Sequence, residues 1–377
     1  MRGIDLENTE RKINNYSLKC AFLDNDFTPD DVSKGLLLFL VFNTAVSLVY
    51  QLFYYIGITS TVFSYIFNVL LDVCFVLTVY VVAKNKRLNT IKQLKVTKAP
   101  NILMAIICIA TSIVCIFGFS GVTNCFLEVL YRMGYSSVSG DIIIDTWGRY
   151  ILYTICICVI PAICEEILFR GLMFTGLKKI SATVGVFGSA FIFMIMHGSP
   201  DQTVHQFILG VVLACAFMIS NNLWVSILIH FCNNFIAVTV SFISYKMSTG
   251  STVVDESGAE LYLSQYFLYA IITACIACAL IYLLFKGLSN ICNKKKEELV
   301  NTDNGTIDSE INPEIVNSED YSVEISDSNG ENRQQIYISP KDSKNKMSRQ
   351  GKFLMVISIV WLVLEWFIAL ANGFRIM

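Results

Sequence analysis

A few side chains in this sequence stand where they are expensive, and their types suit hydrolytic chemistry. The run Cys164-Glu165-Glu166-Ile167-Leu168-Phe169-Arg170-Gly171 places two acids and a guanidinium inside otherwise apolar sequence. An ionisable residue within the bilayer costs ~2.5–3.5 kcal/mol on insertion scales, so each needs a partner or a task. Glu166 and Arg170 stand four apart, on one helix face and in the favoured orientation for pairing. Glu165 points about 100° away and has no local partner. One carboxylate is thus neutralised and the other is available as a base. Only three histidines exist in the chain. His197 follows Phe193 by four residues and His230 precedes Asn234 by four, so each pair shares a helix face. An acid in a dry site can serve as a general base, and a carboxamide and an imidazole can donate to a developing oxyanion. His205, beside Pro200 and Asp201, reads as a structural residue near the outer surface.

These groups must be carried by helices. Of the 377 residues 54% are apolar and 15% charged, with mean hydropathy +0.58. Soluble proteins carry roughly 25% charge. That excludes a soluble enzyme and points to an all-α, polytopic transmembrane bundle. The net charge of −2 gives no sign of a nucleic-acid partner. Most of the 13 cysteines, among them Cys74, Cys108, Cys115, Cys156, Cys158, Cys215, Cys275 and Cys278, lie in apolar runs and read as small core hydrophobes without zinc-type spacing. The polar start of the chain has no apolar h-region, so no cleavable signal peptide is expected.

A spanning helix needs about 20 apolar residues. Stretches of roughly that length fall near 35–57, 61–83, 102–121, 148–177, 181–198, 204–220, 223–244, 262–285 and 353–374, nine in all. Lys84, Lys86, Arg87, Lys92, Lys95 and Lys98 crowd the loop after the second stretch, which puts it on the cytoplasmic side. Arg132 alone in 122–146, Lys178 and Lys179 in the next turn, and Lys286, Lys294, Lys295 and Lys296 after the eighth stretch all agree with that assignment. The expected organisation is a polar cytoplasmic segment over 1–34, an eight-span core over 35–285, a disordered cytoplasmic linker over 286–352, and a ninth span with a short outside tail over 353–377. Depth follows from helical rise. Glu165 lies 13 residues before Lys178 and His197 lies 14 after Thr183, each about 20 Å from the turn between them. Asn234 lies 12 residues after Asn222, about 18 Å from its own turn, with His230 one helical turn shallower. The four groups can meet in one layer.

Glu-Glu-x-x-x-Arg at 165–170, Phe-x-x-x-His at 193–197 and His-x-x-x-Asn at 230–234 occur in this order on three spans. Together they resemble the three motifs of the CPBP family, the CAAX proteases and bacteriocin-processing intramembrane proteases, type II CAAX prenyl endopeptidases included. The resemblance covers 30–285 and is most specific over 147–240. It implies an eight-helix core that hydrolyses a peptide bond in a membrane-associated protein or peptide. By position, Glu165 would activate water with help from His197. His230 and Asn234 would stabilise the oxyanion, while Glu166, Arg170 and Phe193 would support the site. The expected setting is a bacterial plasma membrane, with the N-terminus placed in the cytoplasm by the loop charges, and the expected partners are the bilayer and the substrate. The linker and the ninth span depart from a minimal member without touching the motifs.

No cofactor is expected. Glu165, His197 and His230 could bind zinc with one position open, but no His-Glu-x-x-His helix is present, so direct activation of water by the glutamate is the expected chemistry. Two other classes use the same groups. A non-catalytic immunity or scaffold protein would bind a peptide in the same cavity, and a proton-coupled transporter would use the buried acid and imidazoles as a relay. Asp72 in span two and Glu365 in span nine are further acids placed within apolar sequence.

Overall fold

A computed structural model describes residues 26–58, 61–96, 99–137, 144–248, 263–303, 321–326, 333–338 and 346–375. Nine helices make the bundle: α1 (Pro29–Tyr55), α2 (Thr61–Asn85), α3 (Ile102–Arg132), α4 (Trp147–Leu177), α5 (Val184–Met196), α6 (Thr203–Ser220), α7 (Leu223–Ser248), α8 (Leu263–Asp303) and α9 (Arg349–Arg375). Their apolar exteriors, such as Leu48 and Leu52 of α1, Phe267 and Leu268 of α8 and Val356 and Leu364 of α9, are exposed as lipid-facing surface requires. The chain is an all-α membrane bundle.

Among the described residues eight helices are long and apolar enough to span a bilayer, where the sequence pattern suggests nine stretches. The fifth stretch is the exception. Val184–Met196 is a short apolar helix, about 20 Å long at 1.5 Å per residue, and crosses only part of an ~30 Å hydrocarbon layer. It stops because Gly198 takes φ +58°, a left-handed turn that residues with a Cβ rarely adopt. A 3-10 turn, Pro200–Gln202, then starts the return through α6.

The linker expectation also needs correction in part. Helix α8 continues without interruption to Asp303, and strands β1 (Tyr321–Ser326) and β2 (Arg333–Ile338) pair antiparallel, with Tyr321 opposite Ile338 and Ser326 opposite Arg333. Both lie inside the segment read as disordered. The alternation of Tyr321, Val323 and Ile325 with polar residues is a strand period that a composition-based reading passes over. Residues 304–320, 327–332 and 339–345 of that linker and the chain up to residue 25 lie outside the described residues.

Helix α4 is surrounded by its neighbours and carries the densest polar cluster. Helix α2 packs along it on one side and α7 on another, while α5 and α6 close its later half. It is not a uniform α-helix. Two π-helical turns, Thr154–Val159 and Ile167–Phe174, flank the α-helical stretch Ile160–Glu166. A third π turn, Val184–Gly188, opens α5. The outer helices are pinned by polar contacts at their ends. Asp31 accepts from the Thr28 amide at 2.8 Å and receives Lys86 Nζ of the α2 terminus at 2.6 Å. Asp30 Oδ1 accepts from the Ser348 amide at 2.8 Å, fixing the start of α9 to the start of α1.

Candidate active site

The centre is a buried ion network on α4. Arg170 Nη1 donates to Glu166 Oε1 at 2.9 Å, the pairing that the four-residue spacing predicts. Arg170 Nη2 donates to the carbonyl of Gly210 at 3.0 Å, and His230 Nδ1 donates to the same Glu166 Oε1 at 2.9 Å. Glu166 and Arg170 are 0% exposed and His230 is 2% exposed. A buried charge survives only when it is paired and hydrogen-bonded, and here one carboxylate holds helices α4 and α7 together while its guanidinium partner reaches α6.

Phe193 joins this network to the other imidazole. Its ring meets His197 edge-on at 4.8 Å and His230 at 5.7 Å between centroids, and the Arg170 guanidinium lies 5.1 Å from its centroid. His197 and His230 therefore flank one phenylalanine from two different helices. His197 Nδ1 donates to the Phe193 carbonyl at 2.8 Å. That bond sets the tautomer, because a carbonyl can only accept, and it leaves Nε2 of the neutral ring as an acceptor.

Glu165 turns away from the network. It is half-buried, and among the described residues its carboxylate makes no hydrogen bond; Oε2 is buried without a partner. Asp72 of α2, Glu166 and Arg170 are the charged groups within its electrostatic reach. Asp72 is 7% exposed, so this acid of span two faces the site rather than lipid. Glu365 of span nine is accounted for differently, as the acceptor for Trp361 Nε1 one helical turn away at 2.7 Å.

Two more residues gain partners from other helices in the structure. Asn234, expected beside His230, donates one Nδ2 hydrogen to the carbonyl of Ile157 at 3.0 Å. Ile157 lies in the first π turn of α4, and such a turn puts a carbonyl outside the regular ladder. One of the two Nδ2 hydrogens of Asn234 is left to donate elsewhere. His205, read as structural, is tied to α7: its Nε2 accepts from Asn233 Nδ2 at 3.2 Å, and His197 and His230 both lie within its electrostatic reach. Asn233 is 3% exposed and escaped the sequence reading. Its signal was a second amide directly before the motif residue, on the adjacent helix face.

The structure thus gathers Glu166, Arg170, Phe193, His197 and His230 in one connected cluster, with Asn233 and His205 as an extension and Glu165 facing α2. Among the described residues no hydrogen bond joins Glu165 to His197, His230 or Asn234. His197 and His230 each commit Nδ1 to a protein acceptor, which leaves Nε2 as the ring nitrogen able to bind a metal, and among the described residues no group of three His, Cys, Asp or Glu side chains is placed to hold one.

Residues 147–236 match the family model described as Rce1-like, type II CAAX prenyl endopeptidase Rce1-like. The match runs from the start of α4 to two residues past Asn234 and takes in every group described in this site except Asp72 and the Trp361–Glu365 pair. No curated protein and no solved structure matches the chain.

Proposed function

We propose that this membrane protein, whose residues 147–236 match the Rce1-like family model of type II CAAX prenyl endopeptidases, is an active intramembrane endopeptidase that cuts a membrane-associated protein or peptide. The observation that carries the reading is the Glu165 carboxylate, half-buried and without a hydrogen-bond partner among the described residues, next to a Glu166 carboxylate that Arg170 and His230 both engage through Oε1. A carboxylate kept free where neighbouring charges are neutralised is the group that can take a proton from water.

Glu165 accepts a proton from a water as its oxygen attacks the peptide carbonyl, and returns that proton to the leaving amine when the C–N bond breaks. His197 offers Nε2 as a second acceptor for the same water, its Nδ1 being held by Phe193. The oxyanion takes the remaining Nδ2 hydrogen of Asn234 and an Nε2 hydrogen of His230. With Nδ1 committed to Glu166, His230 donates through Nε2 when both ring nitrogens carry a proton. No metal takes part in this scheme. The N-terminus and the lysine-rich loop before α3 face the cytoplasm.

The test is cleavage of a membrane-anchored peptide library by the full chain in proteoliposomes, with products read by mass spectrometry. Glu165→Ala and His197→Ala each lower the rate by about 10²-fold or more, the range for a general base. Wild-type rates in either variant would end the reading.

A further inference from the structure

A cavity of about 270 Å³ opens immediately beyond His197, lined by Gly198, Ser199, Asp201 and Tyr135 on one side and by Ala369 and Asn372 of α9 on the other. Its polar groups converge and are incompletely used. Asp201 Oδ2 accepts from Tyr135 Oη at 3.1 Å and from Ser137 Oγ at 2.8 Å. Asp201 Oδ1 and Ser199 Oγ are both buried, and neither has a hydrogen-bond partner among the described residues. Among the described residues no lysine or arginine lines the cavity. A carboxylate oxygen shut away from water and left without a donor is costly, and a charged donor satisfies it best. Tyr135 cannot supply that charge. Burial and the neighbouring Asp201 push its phenol up to about 12, so it stays a neutral donor.

The wall supplied by α9 is built for close approach. Gly373 lies so near Tyr135 that a Cβ there would stand 2.9 Å from the Ser136 carbonyl and collide with the Tyr135 ring, while its own carbonyl accepts from the Ser136 amide at 3.0 Å. Trp366 Nε1 donates to Thr203 Oγ1 at 2.9 Å. The last helix is thereby locked against the turn that follows His197.

We infer that this cavity is a substrate subsite for a protonated amine or guanidinium close to the bond that is cut, with Asp201 as its counter-ion and α9 as its wall. The cation comes from a lysine or arginine side chain or from a free peptide N-terminus. The inference rests on the peptidase reading for what the cation is attached to, and on the cavity alone for the preference itself.

Binding separates the two. The full chain carrying Glu165→Gln, in nanodiscs, is titrated with fluorescent apolar peptides, capped at both ends, that carry one lysine or one norleucine at successive positions. The norleucine peptide with a free N-terminus forms the second arm. One lysine position, or the free N-terminus, binds about tenfold or more tightly than its neutral counterpart, the gain of one charge-assisted hydrogen bond. Asp201→Asn, which keeps an acceptor for Tyr135 and Ser137, removes that preference. Ala369→Phe, which fills the cavity from the opposite wall without touching Asp201, removes it too. Equal affinity for charged and neutral peptides, or a preference that survives both substitutions, overturns the subsite. With Glu165 restored, cleavage without a charge preference sinks the subsite and leaves the peptidase standing. A preference in binding without any cleavage does the reverse.

Discussion

Arg170 is the residue on which the cluster turns. Its guanidinium is fully buried, bonds Glu166 and the Gly210 carbonyl, and lies over the rings of Phe193 and Phe169. Removing one partner of a buried ion pair strands the other, at about 3–5 kcal/mol. Arg170→Leu is therefore expected to lower unfolding stability in detergent by that amount, with His230 left as the partner of Glu166. Glu166→Gln strands the guanidinium in the same way. The double variant Glu166→Gln/Arg170→Leu is less destabilised than the two single losses summed, because neither charge then remains unpaired. Additive losses in a denaturation series would show that the pair does not act as a unit. At this scale the sequence was informative where partners share a helix. Glu166 with Arg170 and Phe193 with His197 both follow from a spacing of four. It was silent where the partner sits on another helix, as with Asn234 and the Ile157 carbonyl or His205 and Asn233.

The helices explain why. Depth arithmetic at 1.5 Å per residue holds in a regular α-helix, and Ser189–Met196 is regular up to the cap at His197. Helix α4 is not: its two π turns shift the faces that follow them, so residues counted from Lys178 backwards do not keep their expected directions. Nothing in the amino-acid types around 154–159 or 167–174 announces those turns. Close helix approach is equally unmarked. A Cβ on Gly210 would meet Ala190 Cα and Cβ at 3.0 Å each and Phe193 Cδ1 at 3.3 Å, so α5 and α6 touch through bare backbone at this point. Gly210→Leu is expected to push α5 away and displace His197 with it. Misplacement of about 1 Å lowers a rate about 10²-fold, and Gly210→Ala falls between that and wild type. The check is cleavage rate alongside detergent unfolding, and a Gly210→Leu chain with wild-type turnover would show that this approach does not position His197.

Across the whole molecule the last helix matters more than its remoteness in sequence suggests. Composition made 353–374 a loosely tethered span, because the segment before it is polar and little of it is periodic. The structure instead packs α9 along α1 and against α5, with three polar ties spread along its length: Ser348 to Asp30 at its start, Trp366 to Thr203, and Gly373 to Ser136 near its end. Hydrogen bonds between membrane helices are modest singly, about 0.6 kcal/mol on average, but here they accompany a continuous helix-on-helix contact. Attachment of α9 should then depend on that contact and not on the covalent linker. A protease site inserted between β2 and α9, cut after purification in mild detergent, should leave the C-terminal fragment bound to the rest of the chain on an affinity column. Asp30→Ala combined with Trp366→Phe should release part of it, since two of the three ties are then gone. Loss of the fragment from the unsubstituted chain on cutting would mean that the linker alone keeps α9 in place, and the wall that Ala369 and Asn372 give the cavity beside His197 would have no independent hold.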